Sequence, residues 1–142
     1  MNCKTGIWID GSKAIIVKLN NSTESVVELE SNIETAVHHE NDIDKAVFMG
    51  KKHITQEKKF EERKKHQTTA FLKNVLETSK NSGELFVFGP SNLKTQLKDL
   101  ILKDKLLAGK LKAVEKADSM TLEQIKAHVK SFFRDESKSK SL

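Results

Sequence analysis

Residues 84–97 read ELFVFGPSNLKTQL, and the two halves of this stretch carry different periods. Leu85 through Phe88 form an unbroken apolar run, the mark of a strand buried on both faces, and Gly89-Pro90 closes it as a turn. Leu93 and Leu97, continued by Leu100 and Ile101, recur at helical intervals, with Ser91 or Asn92 placed as N-cap. A doubly buried strand that feeds a helix is a unit of parallel sheet.

Upstream, GIWIDGSKAIIVKL (residues 6–19) places Ile7 and Ile9 on one side of a short strand. A turn signal, Asp10-Gly11-Ser12, and a β-branched run then complete a hairpin. SVVELESNI (25–33) alternates Val27, Leu29 and Ser31 against Val26, Glu28 and Glu30, which predicts a third antiparallel strand. From residue 34 to 55 the periodicity fails, and a mobile loop is expected there. EKKFEERKKHQTTAFLKNVLETSK (57–80) lacks Gly and Pro and carries Phe71, Leu72, Val75 and Leu76 only in its second half. The helix is expected to dock by that half and to leave the first half, with Phe60 its one apolar residue, in water. Downstream, LKAVEKA gives a last strand, and Thr121 with Gln124 forms a T-x-x-Q capping box ahead of Ile125, His128, Val129, Phe132 and Phe133. The order is β-β-β, loop, α-β-α-β-α. It predicts an α/β fold: a mixed five-stranded sheet, three antiparallel then two parallel strands, with helices on its faces. One domain spans 1–134, and the remainder, 135–142, reads as a disordered tail.

The chain has 142 residues, enough for one hydrophobic core, of which 37% are apolar and 32% charged. Its longest strictly apolar runs, such as Ala14–Val17, are far too short to cross a bilayer, and the opening MNCKTGIWID has no signal-peptide core, so a cytoplasmic protein with no membrane partner is expected. A single cysteine, Cys3, excludes an intramolecular disulfide and anchors zinc poorly. No metal and no cofactor are expected.

Net charge is +5, and its placement matters more than its size. Lys51, Lys52, Lys58, Lys59, Arg63, Lys64 and Lys65 stand against Glu57, Glu61 and Glu62, a local excess of four positive charges on the loop and the solvated end of the first helix. Such a strip suits tracking of a phosphate backbone, each neutralised phosphate adding salt-dependent affinity. The plainer alternative is a solvated face stitched by pairs such as Glu61 with Lys65. With no Tyr and most Phe committed to the core, recognition of backbone or shape is favoured over base stacking.

Other residues read more plainly. Asp10 before Gly11 is a turn residue; a two-metal nuclease needs further acids converging on it, and the fourth strand ends Phe88-Gly89-Pro90 with none. His38-His39 with Glu40 and Asp42 lacks the spacing of a built metal site. Gly89-Pro90-Ser91-Asn92 sits at a strand-to-helix turn, where ligand sites occur, but without phosphate-loop spacing reads as a capped turn. Trp8 reads as core, and His128 as a packed, hydrogen-bonded residue.

This order, with several local strings, resembles the middle domain of the archaeo-eukaryotic class I peptide release factors and of Pelota, a ribonuclease-H-like fold without nuclease chemistry. GIWIDGSKAIIVKL is similar to its opening hairpin and VVELESNI to its third strand. HITQEKKFEERKKHQTTAFLKNVL is similar to the loop and long basic helix that in release factors begin with Gly-Gly-Gln, and ELFVFGPSNLKTQL to the strand and turn that follow. LKAVEKADSMTLEQIKAHVKSFF resembles the closing strand and helix, especially in small bacterial single-domain relatives known as translational machinery proteins. The resemblance covers residues 6–133 and implies a place in translation, with the ribosome, ribosomal RNA or tRNA as partner and His53 and Gln56 joining the basic residues at the RNA-facing segment. It also implies a departure. Where the family has two glycines this chain has Ile54 and Thr55, both β-branched and stiff, ahead of Gln56. A non-catalytic RNA-binding protein is therefore expected; the alternatives are a peptidyl-tRNA or aminoacyl-ester hydrolase using Gln56, and a protein-interaction module.

Overall fold

The computed structural model describes the backbone of residues 3–21, 23–34 and 50–141, and the side chains of 3–21, 23–34 and 57–135. β1 (Cys3–Ile9), β2 (Lys13–Asn20) and β3 (Thr23–Glu30) form the antiparallel meander; β4 (Glu84–Gly89) and β5 (Leu111–Lys116) complete the sheet. Strand order is β3-β2-β1-β4-β5, with β4 parallel to β1 and β5 parallel to β4. This is the mixed five-stranded arrangement that the sequence led to.

The hairpin closes as its residues dictate. Asp10 Oδ1 accepts hydrogen bonds from the backbone N–H groups of Ser12 and Lys13, both at 2.8 Å, and from the Ser12 hydroxyl at 3.0 Å. A carboxylate so occupied is a turn-former. The next turn puts Asn21 at φ 55°, a left-handed conformation that Asn tolerates better than most side chains.

Strand alternation then builds two cores. Ile7, Ile9, Ala14, Ile16, Leu85 and Val87 face one way, against α1 (Gly50–Thr78) through Phe71, Leu72 and Val75 and against α2 (Leu93–Lys103) through Leu93, Leu97 and Ile101. Trp8, Ile15, Val17, Phe86 and Phe88 face the other way, against Ile125, Val129 and Phe133 of α3 (Leu122–Ser141). Alternation across two covered faces is why ELFVF is apolar from Leu85 onward without a break. The capping box of α3 forms reciprocally: Gln124 N–H donates to Thr121 Oγ1 at 3.2 Å, and Thr121 N–H donates to Gln124 Oε1 at 3.0 Å. Ahead of α2 the cap is divided. Asn92 holds the N-cap position without a side-chain bond, while Ser91 Oγ accepts from Leu93 N–H at 3.2 Å.

Helix limits differ from expectation at two ends. α1 starts at Gly50 rather than near Glu57, so residues 50–55 are helical instead of belonging to a loop; past Gly50 nothing in KKHITQ is a helix breaker. α3 runs to Ser141, through the segment expected to fray, because DESKSKS likewise contains neither Gly nor Pro. The remainder of the expected mobile loop, 35–49, lies outside the described residues.

α3 approaches β1 closely because residue 6 has no side chain. A Cβ there would lie 2.3 Å from Cγ2 and 2.7 Å from Cγ1 of Val129. Gly6→Ala is expected to cost about 1–3 kcal/mol in urea unfolding, the range for overpacking a filled core. Adding Val129→Ala should recover part of that loss if this close approach is its cause. At the sheet's outer edge, Glu24 accepts from Lys130 and lies 3.3 Å from Lys126 Nζ. The Lys130 hydrogen bond, followed by Lys126, holds the Glu24 carboxyl below its ordinary 4.5. Its contribution to stability is thus present above about pH 4.5 and is lost as pH falls through the lowered folded value. A carboxyl-detected NMR titration should show that depressed midpoint, and Lys130→Met should move it back up.

Candidate functional site

The basic segment is exposed for a geometric reason. α1 has 29 residues, about 43 Å at ~1.5 Å each, whereas β1 has 7, about 23 Å at ~3.3 Å each. A helix nearly twice as long as the strand beneath it cannot bury its whole length. The apolar residues are distributed accordingly: Phe71, Leu72 and Val75 are buried, while from 57 to 66 only Phe60 is even half-buried.

On that overhanging half, Lys58, Lys59, Lys64 and Lys65 are all exposed. Among the described residues none of the four is in an ion pair, and the Glu61–Lys65 pair that would have stitched a merely solvated face does not form. Lys51, Lys52, His53 and Gln56 lie on the first turns of α1, as do Ile54 and Thr55; their backbone is helical and their side chains lie outside the described residues.

Arg63 behaves differently. Its Nε and Nη2 donate to Glu34 Oε2 and Oε1 at 2.9 and 3.1 Å, a two-pronged pairing. Gln67 completes the clamp by donating its amide to Glu34 Oε2 at 2.9 Å and accepting from Glu34 N–H at 2.9 Å. The Glu34 carboxylate raises the Arg63 guanidinium above its already high ordinary value. Arg63 therefore fixes the chain after β3 to the middle of α1, and its guanidinium also lies 6.0 Å from the Phe60 ring centre. No local pattern announces Glu34 or Gln67, because the clamp joins residues far apart in the chain.

The remaining candidates resolve as structure. Trp8 is buried in the α3-side core. His128 packs on Phe88 and Phe86, with ring centres 4.9 and 5.6 Å away, but its Nε2 lies 3.5 Å from Glu115 Oε1 and makes no hydrogen bond, contrary to the expectation of a bonded histidine. The expected turn at Gly89 has a steric cause. Its φ is 152°, and a Cβ there would lie 2.2 Å from the Ile9 carbonyl oxygen, so only glycine lets β4 end beside β1. Among the described residues no three His, Cys, Asp or Glu side chains are grouped to hold a metal, and no helix is long and apolar enough to cross a membrane. His38, His39, Glu40 and Asp42 lie outside the described residues.

No protein-family model and no curated protein sequence matches the chain. Among solved structures, Pelota from Archaeoglobus fulgidus superposes with a TM-score of 0.54 at 13% identity, over 91% of this chain and 31% of that one. An archaeal translation termination factor, aRF1, superposes more loosely, with a TM-score of 0.43 at 15% identity, over 96% of this chain and 40% of that one, and carries no argument at that score. This chain spans about a third of the length of the Pelota structure, and what the two share is the fold.

Proposed function

We propose that this protein works at the translation machinery, in the cytoplasm, as a non-catalytic factor that binds ribosomal RNA or tRNA through Lys51–His66. The observation that carries this reading is the overhanging half of α1, which presents Lys58, Lys59, Lys64 and Lys65 to solvent without ionic partners among the described residues. Charges held on a rigid rod with little else to bury are suited to a polyanion, which favours each cation by counterion release. The fold shared with part of a Pelota, and the strings that resemble the release-factor middle domain, support translation as the setting.

Bond cleavage is not part of the proposal. Ester hydrolysis of the release-factor kind needs a backbone free to enter a crowded centre, whereas Ile54 and Thr55 are β-branched and sit in a helix.

Fluorescence anisotropy with tRNA and with ribosomal RNA fragments, across a salt series, tests the binding reading. Replacing Lys58, Lys59 and Lys65 together by Gln should weaken binding to all sequences alike. It should also flatten the plot of log affinity against log salt by ~0.9 for each duplex phosphate left without its cation, or ~0.7 on single strands. An unchanged slope and affinity in the triple variant would remove the proposal.

A further inference from the structure

A cleft of about 590 Å³ opens between the β1–β2 turn, the middle of α1 and the start of α2, and its walls include Lys64, Asn92 and Gln96. The topology places it. β1 and β4 are parallel and in register from Lys4–Glu84 to Trp8–Phe88, so their C-terminal ends lie side by side at one end of the sheet, and α2 departs from that same end. Open α/β sheets bind ligands at such strand ends, and the volume lies within the ~300–1,000 Å³ usual for a small-molecule site.

The chemistry of the walls narrows the ligand. Two carboxylates stand among the walls: Glu34 is engaged through both oxygens by Arg63 and Gln67, and Asp10 through Oδ1 by the turn it forms. What remains to a ligand is a pair of carboxamides, one ammonium and the second Asp10 oxygen, an acceptor that suits the N–H of a base rather than a phosphate. Asn92 and Gln96 stand one turn apart on α2, and among the described residues neither side chain makes a hydrogen bond, nor does the side chain of Lys64. Asn92 has helical dihedrals (φ −69°, ψ −9°), so the capping falls to Ser91, whose Oγ accepts from Leu93 N–H, and the Asn92 carboxamide is left on the wall of the cleft without a bond to the helix.

Each carboxamide offers a donor beside an acceptor, which is the pattern on the edge of a nucleobase. Ile33 and Leu93, also on the walls, supply apolar surface for the faces of such a ring. Lys64 belongs both to the cleft and to the exposed basic strip of α1. A phosphate alone would use only the N–H donors of the amides and leave their acceptor oxygens without a partner, and an apolar ligand would leave both unpaired.

We propose that the cleft receives one unpaired nucleotide, its base edge hydrogen-bonded by Asn92 and Gln96 and its phosphate paired with Lys64. This deepens the RNA-binding reading, on which it rests for the source of the nucleotide: phosphates are tracked along α1, and one base is drawn out and held between α1 and α2.

The test is an NMR titration of the full chain with each nucleoside 5′-monophosphate separately and with inorganic phosphate. The side-chain amide signals of Asn92 and Gln96 should move with at least one monophosphate and stay in place with inorganic phosphate. The double variant Asn92→Ala, Gln96→Ala, which alters two side chains at the surface of α2, should weaken that nucleotide at least about tenfold. Lys58→Gln, Lys59→Gln and Lys65→Gln together should leave nucleotide binding intact while weakening RNA, so the two readings fail separately. Amide signals that ignore all four monophosphates at millimolar concentration, or that respond equally to inorganic phosphate, would overturn the assignment.

Discussion

β1 is hydrogen-bonded along both edges, antiparallel to β2 and parallel to β4, and its side chains alternate between two apolar cores. Ile7, Trp8 and Ile9 are all buried, so the strand holds its place only if helices cover both faces of the sheet. At ~1.5–3 kcal/mol for each large apolar side chain fully buried, the two cores together outweigh any surface ion pair in the molecule. Two glycines set how near the neighbours come: Gly6 admits Val129 from α3, and Gly89 brings the end of β4 against the Ile9 carbonyl. The second approach has a consequence for the cleft. By ending β4 beside β1 it makes α2 begin next to the hairpin turn, which puts Asn92 and Gln96 on one cleft with Lys64.

The same constraint accounts for the unburied charge. A seven-residue strand cannot cover a 29-residue helix, so the excess length of α1 belongs to solvent wherever the helix is docked. Placing Phe71, Leu72 and Val75 at one end decides which half is left over. Docking at one end alone would leave the helix free to pivot. The Glu34 clamp on Arg63 and Gln67 adds a second point of attachment part-way along, on the far side of the buried cluster from the C-terminus of α1. Arg63 thus fixes the direction of the overhanging half as well as adding to its charge.

How far the structure is legible in the sequence depends on the range of the interaction. The Asp10 turn, the Thr121–Gln124 box and the alternation of Val27 and Leu29 act within a few residues, and local spacing reveals them. The unbroken LFVF run gives away its two-sided burial because no polar residue is tolerated on either face. Helix ends are misread where the chain is polar: between Gly50 and Glu57, and again after Arg134, few apolar residues mark a helical period, so the pattern suggests loop and tail although nothing there breaks a helix. The clamp and the cleft are invisible for a different reason. Glu34 and Gln67 meet, and Lys64 and Asn92 share a cleft, only because the sheet is ordered β3-β2-β1-β4-β5, and no short window on the chain contains both members of either pair.

The start of α2 shows how the choice of cap decides which side chain is left over. Ser91 and Asn92 are both good capping residues, and one suffices at the start of α2. Had Asn92 capped the helix, its amide would have been committed to the backbone and Ser91 would have been a spare hydroxyl. The arrangement found uses the shorter side chain on the helix and keeps the longer one, which has both a donor and an acceptor, for the cleft. An idle carboxamide on a surface helix needs no explanation. Two of them four residues apart, sharing a cleft with a lysine that has no ion pair among the described residues and with a Glu34 already engaged by its own neighbours, form a polar surface whose hydrogen-bonding capacity is directed outward, and a ligand with a patterned edge uses that capacity better than water does.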